Sequence, residues 1–294
     1  MTFSQLKIFS VLANCSSFTS ASQQLSISQS GVSHAIKTLE DELGVKLFLR
    51  NQSRIELTYV GMRLLERART ILSLEATMRQ EATGVKQMKQ GTVKIGAFDP
   101  GSTIHILPSI LEAYRKKYPN IDVFVEEGSN KQIHQWLIER RIDIGIMQLP
   151  QPEHNAIHLL TDRLVALVPK QHPLAKESEV CLKALCKEPM VLAEVGSPEL
   201  VTQLLSSQNL KPQIQYRTSQ LISTLDIVAR GEAVSIVASS DLPKSSMMNV
   251  MQKPLTPTLE RQIGMVVLNE QHTSPAVKAF LTLAKEENFQ RHYE

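Results

Sequence analysis

The sequence predicts an α/β protein of 294 residues in which a helical N-terminal third leads, through one long helix, into two small α/β lobes. Three observations carry that expectation. The first 99 residues contain no proline, the first being Pro100, as a largely helical segment requires because proline removes a backbone donor and clashes inside a helix. From Gly91 onward short apolar strands alternate with amphipathic helices, the signature of a parallel sheet with crossover helices. Between them, Leu57, Leu64, Ile71, Met78 and Val85 recur every seven residues.

The elements follow in order. A first helix runs from Ser4 to about Asn14, carrying Leu6, Phe9 and Leu12. A second runs from Thr19 to Leu25, with Ser and Thr available as caps. After the short connection Ser26-Ile27-Ser28, a third helix begins with Ser28 as its cap and stops at Gly44, a suitable left-handed terminator. Val32, Ile36, Leu39 and Leu43 fall on one of its faces. Gln29, Ser30, Ser33, His34 and Lys37 fall on the other, and none of them is acidic. Residues 45–58 then read as a two-stranded wing around a polar tip containing Arg50 and Arg54.

The fourth helix is expected from about Thr58 to Gln90. Its heptad stripe calls for a partner helix, most economically the same helix of a second copy, with Leu57, Leu64, Ile71, Met78 and Val85 as dimerisation positions. Beyond Gly91, the stretches TVKIGAF, IDVFVEE and IDIGIM read as strands separated by two helices. A second set follows from Arg163: strands at RLVALVP, MVLAEV, IQYRT and VSIVA, with helices at Ser197–Asn209 and Leu221–Gly231. The strand QIGMVVL and the helix Pro275–Glu286 return the chain to the first lobe. The expected units are therefore 1–58 for the winged helical N-terminal domain, 59–90 for the linker, and 91–294 for the two lobes. Lobe I takes about 91–162 and 269–294, and lobe II about 163–268.

Composition narrows the function. Residues 1–90 hold 11 Lys/Arg against 7 Asp/Glu, while residues 91–294 hold 21 against 22, so the positive excess lies wholly in the first third. That favours a polyanion partner there. Two helices joined by a short turn, the second with an uncharged-to-basic polar start, form a helix-turn-helix whose second helix enters the major groove. Gln and Ser can bond base edges, and His34 and Lys37 can bond guanine or phosphate. The expected DNA-binding set is Ser28, Gln29, Ser30, Ser33, His34, Lys37, Arg50 and Arg54.

The 45 residues from Ser17 to Gly61 also carry a resemblance. Phe18, Ala21, Leu25, Ser28-Gln29-Ser30, Val32-Ser33, Ile36, Leu39-Glu40, Leu43-Gly44, Leu47-Phe48, Arg50, Leu57-Thr58 and Gly61 stand, without gaps, in the order found in the DNA-binding domain of LysR-type transcriptional regulators. GTVKIG at Gly91 and LVALVPKQHPLA at Leu164 resemble landmarks of the same family's effector domain. The resemblance implies a winged helix-turn-helix, a linker helix and a two-lobed effector domain similar to a periplasmic binding protein. It also implies a DNA-binding transcription factor acting as a homodimer or homotetramer on a dyad-symmetric promoter site, with RNA polymerase as a candidate further partner. This chain departs from the family pattern at Ser22, His34 and Glu232.

Ligands of such sheets sit beyond the C-terminal ends of strands, near helix N-termini. By resemblance, the effector positions are Ser102, Thr103, Ser129, Met147, Gly196, Ser197 and Thr218. Helix N-termini favour an anionic group, whereas Asp99, Glu127 and Glu194 beside the same loops oppose one. The sequence leaves open a small carboxylate and a neutral or cationic metabolite. No cofactor and no metal are expected. His154 and His158 read as part of a solvated loop rather than as ligands. Cys181 and Cys186 read as small apolar residues, with a redox role left open. No hydrolase, P-loop, dinucleotide or zinc-protease motif occurs, so no enzymatic activity is expected. The rival reading, a solute-binding protein or small-molecule enzyme with a helical appendage, lacks a secretion signal and a catalytic constellation. A cytoplasmic location follows, with no run of about 18 apolar residues to span a membrane.

Overall fold

Short hydroxyl side chains set the starts of the N-terminal helices. The computed structural model describes residues 1–15, 17–50, 55–84, 91–99, 101–149, 155–243, 249–270 and 273–286. Helix α1 (Phe3–Cys15) is followed by α2 (Phe18–Leu25), capped by the Ser17 side chain accepting from the Ser20 N–H. Helix α3 (Gln29–Leu43) is capped by Ser28, whose Oγ accepts from the Gly31 N–H. Gly44 closes α3 at φ +67°, where a Cβ would be strained. Leu6, Phe9, Leu12, Val32, Ile36 and Leu39 meet in one core. Burying such a side chain contributes roughly 1.5–3 kcal/mol each. Ser22, where the family pattern often has alanine, is buried and returns its hydroxyl to the Thr19 carbonyl at 2.8 Å.

The wing strands β1 (Phe48–Arg50) and β2 (Ile55–Leu57) pair antiparallel, with Phe48 opposite Leu57. Glu40 holds them against α3. It is 6 % exposed; Oε1 accepts from the Leu47 and Phe48 N–H groups at 2.8 and 3.3 Å, and Oε2 meets Lys46 Nζ at 2.7 Å. Burial pushes the Glu40 carboxyl up, but Lys46 and the two backbone donors outweigh it and hold it below the usual glutamate value. Glu40→Ala orphans two backbone donors, so we expect a loss of about 1–3 kcal/mol in chemical unfolding of the full chain.

Helix α4 (Tyr59–Gly84) starts under Thr58, whose Oγ1 accepts from the Gly61 N–H. A Cβ on Gly61 would lie 2.1 Å from the Leu47 carbonyl oxygen, so only glycine lets α4 approach the wing this closely. The heptad stripe divides. Leu57 lies in β2 rather than on the helix, and Leu64 packs on the N-terminal core, so these two are half-buried within their own domain. Ile71, Leu74 and Met78 are exposed, as are Tyr59, Val60 and Met62. Val85, the last position of the stripe, lies outside the described residues, as do Arg54 and the rest of the wing tip. Arg69, 7 % exposed on α4, joins Asn14 of α1 to Glu139 after α6 through contacts of 2.6 Å each.

In lobe I, β3 (Gly91–Ala97), β4 (Ile121–Glu127) and β5 (Ile144–Leu149) form a parallel sheet in the order β4-β3-β5, with α5 (Leu107–Lys117) and α6 (Asn130–Ile138) as crossovers. One turn of π-helix, Ser102–Ile106, precedes α5. Strand β6 (Asn155–Pro169) then runs unbroken from lobe I into lobe II. Its first half, including His158, had been expected as a loop; His158 stands in this strand with Nε2 2.8 Å from Thr161 Oγ1. His154 lies outside the described residues.

Lobe II is built on the second half of β6. Strand β7 (Val180–Cys181) and α7 (Leu182–Leu185) lead to the parallel pair β8 (Pro189–Ala193) and β9 (Gln213–Thr218), with α8 (Pro198–Ser207) between them. Helix α9 (Leu221–Ala229) leads to β10 (Ser235–Ala238), which pairs with β6. Strand β11 (Val250–Thr256), which the sequence reading did not single out, also pairs with β6. Strand β12 (Glu260–Val267) returns to lobe I between β5 and β6, and α10 (Pro275–Glu286) closes that lobe's core through Val277, Phe280 and Leu281. Strand β12 pairs with β5 over Gln262–Val266, which ties this return strand to the lobe I sheet. Glu232 accepts from the Tyr216 hydroxyl and from Arg230 Nε on the edge of lobe II, apart from the residues that line the cleft.

Candidate functional site

Two surfaces carry the chemistry. The first is the polar face of α3. With Val32, Ile36 and Leu39 buried beneath it, Gln29, Ser30, His34 and Lys37 are exposed and Ser33 is half-buried. Ser28 is occupied as the helix cap and also lies 3.0 Å from Ser30 through their hydroxyls. Arg50 ends β1 at the base of the wing.

The second surface is a cleft of about 360 Å³ between the lobes, walled by the ends of β3, β4 and β8 and the starts of α6 and α8. That size suits a metabolite. Of the seven expected effector residues, Ser129 and Gly196 line it. Ser129 is also the cap of α6, in a reciprocal pair with Gln132. Ser102 is fully buried beneath the cleft, where its N–H and hydroxyl both donate to Asp99 Oδ1. Thr103 is half-buried, its hydroxyl 3.4 Å from the Asp99 carbonyl. Met147 is wholly within the lobe I core, and Thr218 bonds Thr224 at 2.6 Å rather than facing the cavity. Ser197 points down, accepting from Arg261 Nη1 at 2.9 Å.

Arg261, which the sequence did not single out, organises the floor. It stands on β12 opposite Asp162 of β6, at the point where the chain passes between lobes. Its Nε lies 2.8 Å from Asp162 Oδ1. Nη2 reaches Ser240 Oγ at 2.9 Å, Asp241 Oδ1 at 3.0 Å and Asp162 Oδ2 at 3.3 Å. Asp99 of lobe I comes within 2.9 Å of the same nitrogen. The side chains of Arg261, Asp99 and Asp162 are fully buried, and that of Asp241 is 4 % exposed. One guanidinium thus ties both crossover strands and both lobes together.

Three carboxyls around one guanidinium cannot all be charged cheaply. Burial opposes the charge on Arg261, but the carboxyls of Asp241, Asp99 and Asp162 outweigh it and hold the guanidinium firmly protonated. Asp241 is pushed up to about 8, by burial first, with Asp99 adding repulsion and Arg261 partly offsetting both. The folded state therefore keeps a proton that the unfolded chain has released above the ordinary aspartate range. Stability should fall as pH rises from about 4 toward 8, by at most about 1.4 kcal/mol per pH unit. In Asp241→Asn, which keeps the shape of the protonated acid, that part of the slope should vanish from thermal unfolding measured across the same window.

Among the two cysteines of lobe II, Cys181 is exposed and Cys186 buried, and burial followed by the neighbouring Cys181 pushes the Cys186 thiol up. This makes it a poorer nucleophile.

The comparisons with known proteins match both parts of the chain. Residues 3–62 fit the family described as bacterial regulatory helix-turn-helix protein, lysR family, and residues 86–288 fit the LysR substrate binding domain. The HTH-type transcriptional regulator YvbU of Bacillus subtilis is 31 % identical over 290 residues, covering 97 % of this chain and 98 % of that protein. A helix that reads DNA, tethered to a two-lobed binding domain, defines a ligand-responsive transcription factor. The chain belongs to the LysR family of DNA-binding transcriptional regulators. AlsR of B. subtilis is 27 % identical over 97 % of this chain and 95 % of its own. Among solved structures, a full-length OxyR variant from Pseudomonas aeruginosa superposes with a TM-score of 0.76 at 23 % identity, over 97 % of this chain and 93 % of that one. Full-length CbnR bound to its target DNA gives 0.65 at 21 %, over 97 % and 99 %. These two show the shared fold.

Proposed function

We propose that the protein works as a homo-oligomer in which two copies of α3 read the half-sites of a dyad-symmetric promoter sequence. A metabolite in the interlobe cleft shifts the arrangement of the subunits and so changes transcription. The observation that carries this reading is the face of α3: its apolar half is sealed into the N-terminal core while Gln29, Ser30, His34 and Lys37 are presented to a partner. Ser33 completes that face, and Arg50 and Arg54 supply phosphate contacts from the wing. The exposed run Ile71, Leu74 and Met78 on α4 supplies the seam between copies. Val85, expected on the same stripe from its heptad spacing, lies outside the described residues.

The cleft takes a small-molecule effector rather than a cofactor, and the chain performs no catalysis. No helix among the described residues is long and apolar enough to cross a membrane. A regulator of promoters works in the cytoplasm, where RNA polymerase is its natural further contact. Gel-retardation titrations of genomic fragments at increasing salt test the DNA-binding part. Several phosphate contacts give a steep fall of affinity with salt concentration; binding that ignores salt, or no binding, contradicts it.

A further inference from the structure

We propose that Arg69 is a positioning residue for DNA binding: it latches the DNA-reading domain to lobe I of the same chain, and α6 carries the state of the interlobe cleft to that latch. This rests on the cleft as the effector site and names the route by which its occupancy reaches α3.

The latch is a buried cation shared by three parts of the chain. Arg69 stands on α4 and is 7 % exposed, a rare position for arginine unless its charge is paired. Its Nη1 donates to Glu139 Oε2 of lobe I at 2.6 Å, and its Nη2 donates to Asn14 Oδ1 at 2.6 Å, in the last turn of α1. The two terminal nitrogens of one rigid planar fork therefore set α1 and lobe I relative to each other. Helix α1 shares its core with α3 through Leu6, Phe9 and Leu12. A shift of α1 thus moves the face that reads DNA.

Glu139 follows α6 as its C-cap. The helix dipole disfavours a carboxylate at that end, so the acid does not serve the helix. Its oxygens are held instead by Gln135 Nε2 at 2.8 Å and by Arg69. The other end of α6 lies in the cleft, where Ser129, Asn130 and Gln132 line the cavity. The 9 residues of the helix span about 14 Å between the two ends. The Ser129–Gln132 capping box binds the cavity edge to the helix. Trp136, in the middle of α6, packs so closely under Gly128 of the cavity wall that a Cβ there would lie 2.8 Å from its ring. The cleft edge and α6 are therefore one piece, and a ligand that displaces the first moves the second.

Arg69 is also clear of the seam between copies. At 3.6 residues per turn, Ile71, Leu74 and Met78 are turned roughly 140–200° from it around α4. One face of α4 holds the chain's own lobe I while the opposite face is left for a second copy.

The test uses the full-length protein and a genomic fragment that the wild type retards, with Arg69→Gln, Glu139→Gln and the double variant. The Glu139 side chain is 28 % exposed, so its variant reports even where the Arg69 variant fails to fold, and circular dichroism checks both. A role confined to the stability of lobe I leaves affinity for DNA unchanged. The latch predicts a change of at least about fivefold, the lower range of allosteric coupling, in the same direction for both single variants. The double variant should lie no further from wild type than the larger single, because the two act as one contact. A smaller change in Glu139→Gln, or changes that multiply in the double variant, would overturn the latch while leaving α3 as the element that reads DNA. Ser219→Trp, which fills the cleft from an exposed position, tests α6 as the carrier. Hydrogen exchange of the free protein, read by mass spectrometry, should change in the last turn of α1 when Ser219→Trp is made in the wild type, and not when it is made in Arg69→Gln. No change in either background, or the same change in both, would overturn the transmission. Neither arm uses a ligand, so such a failure leaves the cleft as the effector site.

Discussion

Arg261→Ala is expected to destabilise the full chain by roughly 3–5 kcal/mol, the cost of leaving buried charge uncompensated. The size follows from what the side chain touches. Asp99, Asp162 and Asp241 surround one guanidinium that water does not reach, and Ser197 and Ser240 lose their donors with it. Asp162 and Arg261 are cross-strand partners on the two strands that join the lobes, so the loss falls on the joint itself. Chemical unfolding followed by the fluorescence of Trp136, the only tryptophan and part of lobe I, reads the effect. A change below about 1 kcal/mol, the size of an ordinary surface ion pair, would show that the knot contributes little. The pH slope attributed to Asp241 should also change in this variant, since the same guanidinium opposes retention of that proton.

The double variant Ser33→Ala with His34→Ala should abolish sequence-specific DNA binding without loss of fold. A good base contact contributes about 1–3 kcal/mol of discrimination. Losing one contact from each residue in a half-site would cost roughly 2–6 kcal/mol, or about 30- to 10⁴-fold in affinity. The fold should survive because His34 is exposed and Ser33 only half-buried, while Val32, Ile36 and Leu39 beneath them are untouched. Lys37→Ala should behave differently, weakening all sequences alike and reducing the salt slope by about one. Gel retardation with a specific and a scrambled duplex separates the two behaviours.

Local pattern made the N-terminal third legible. The alternation of apolar and polar positions in α3, the caps Ser17 and Ser28 and the terminator Gly44 are set by neighbours three or four residues apart. Strands of lobe I were readable for the same reason. What escaped depends on distant register. Arg261 meets Asp162 across 99 positions of chain, and nothing in the run Glu260-Arg261-Gln262 announces it. Strand β11 hid behind Pro254 and Lys253, which depress the strand signal although β6 pairs with it. Leu57 and Leu64 fit the heptad as well as Ile71 does, but periodicity cannot distinguish a seam between copies from packing on a chain's own core. Ser129 and Gly196 line the cleft because they sit in loops that follow strands. Ser102 and Ser197 belong to the same loops, yet their hydroxyls turn downward to Asp99 and Arg261. The cleft's uniform acidity was only half visible: Asp99, Glu127 and Glu194 stood beside the right loops, while the contribution of Glu199 required the cavity.

The arrangement of two copies of α3 on a duplex is tested most directly by hydroxyl-radical footprinting on a genomic fragment that the protein retards. Two protected patches on one face of the duplex are expected, centred about one helical turn, or a whole number of turns, apart, and both should vanish with Ser33→Ala/His34→Ala. A single unpaired patch, or protection unchanged in that variant, would contradict the reading of α3 as the element that recognises DNA.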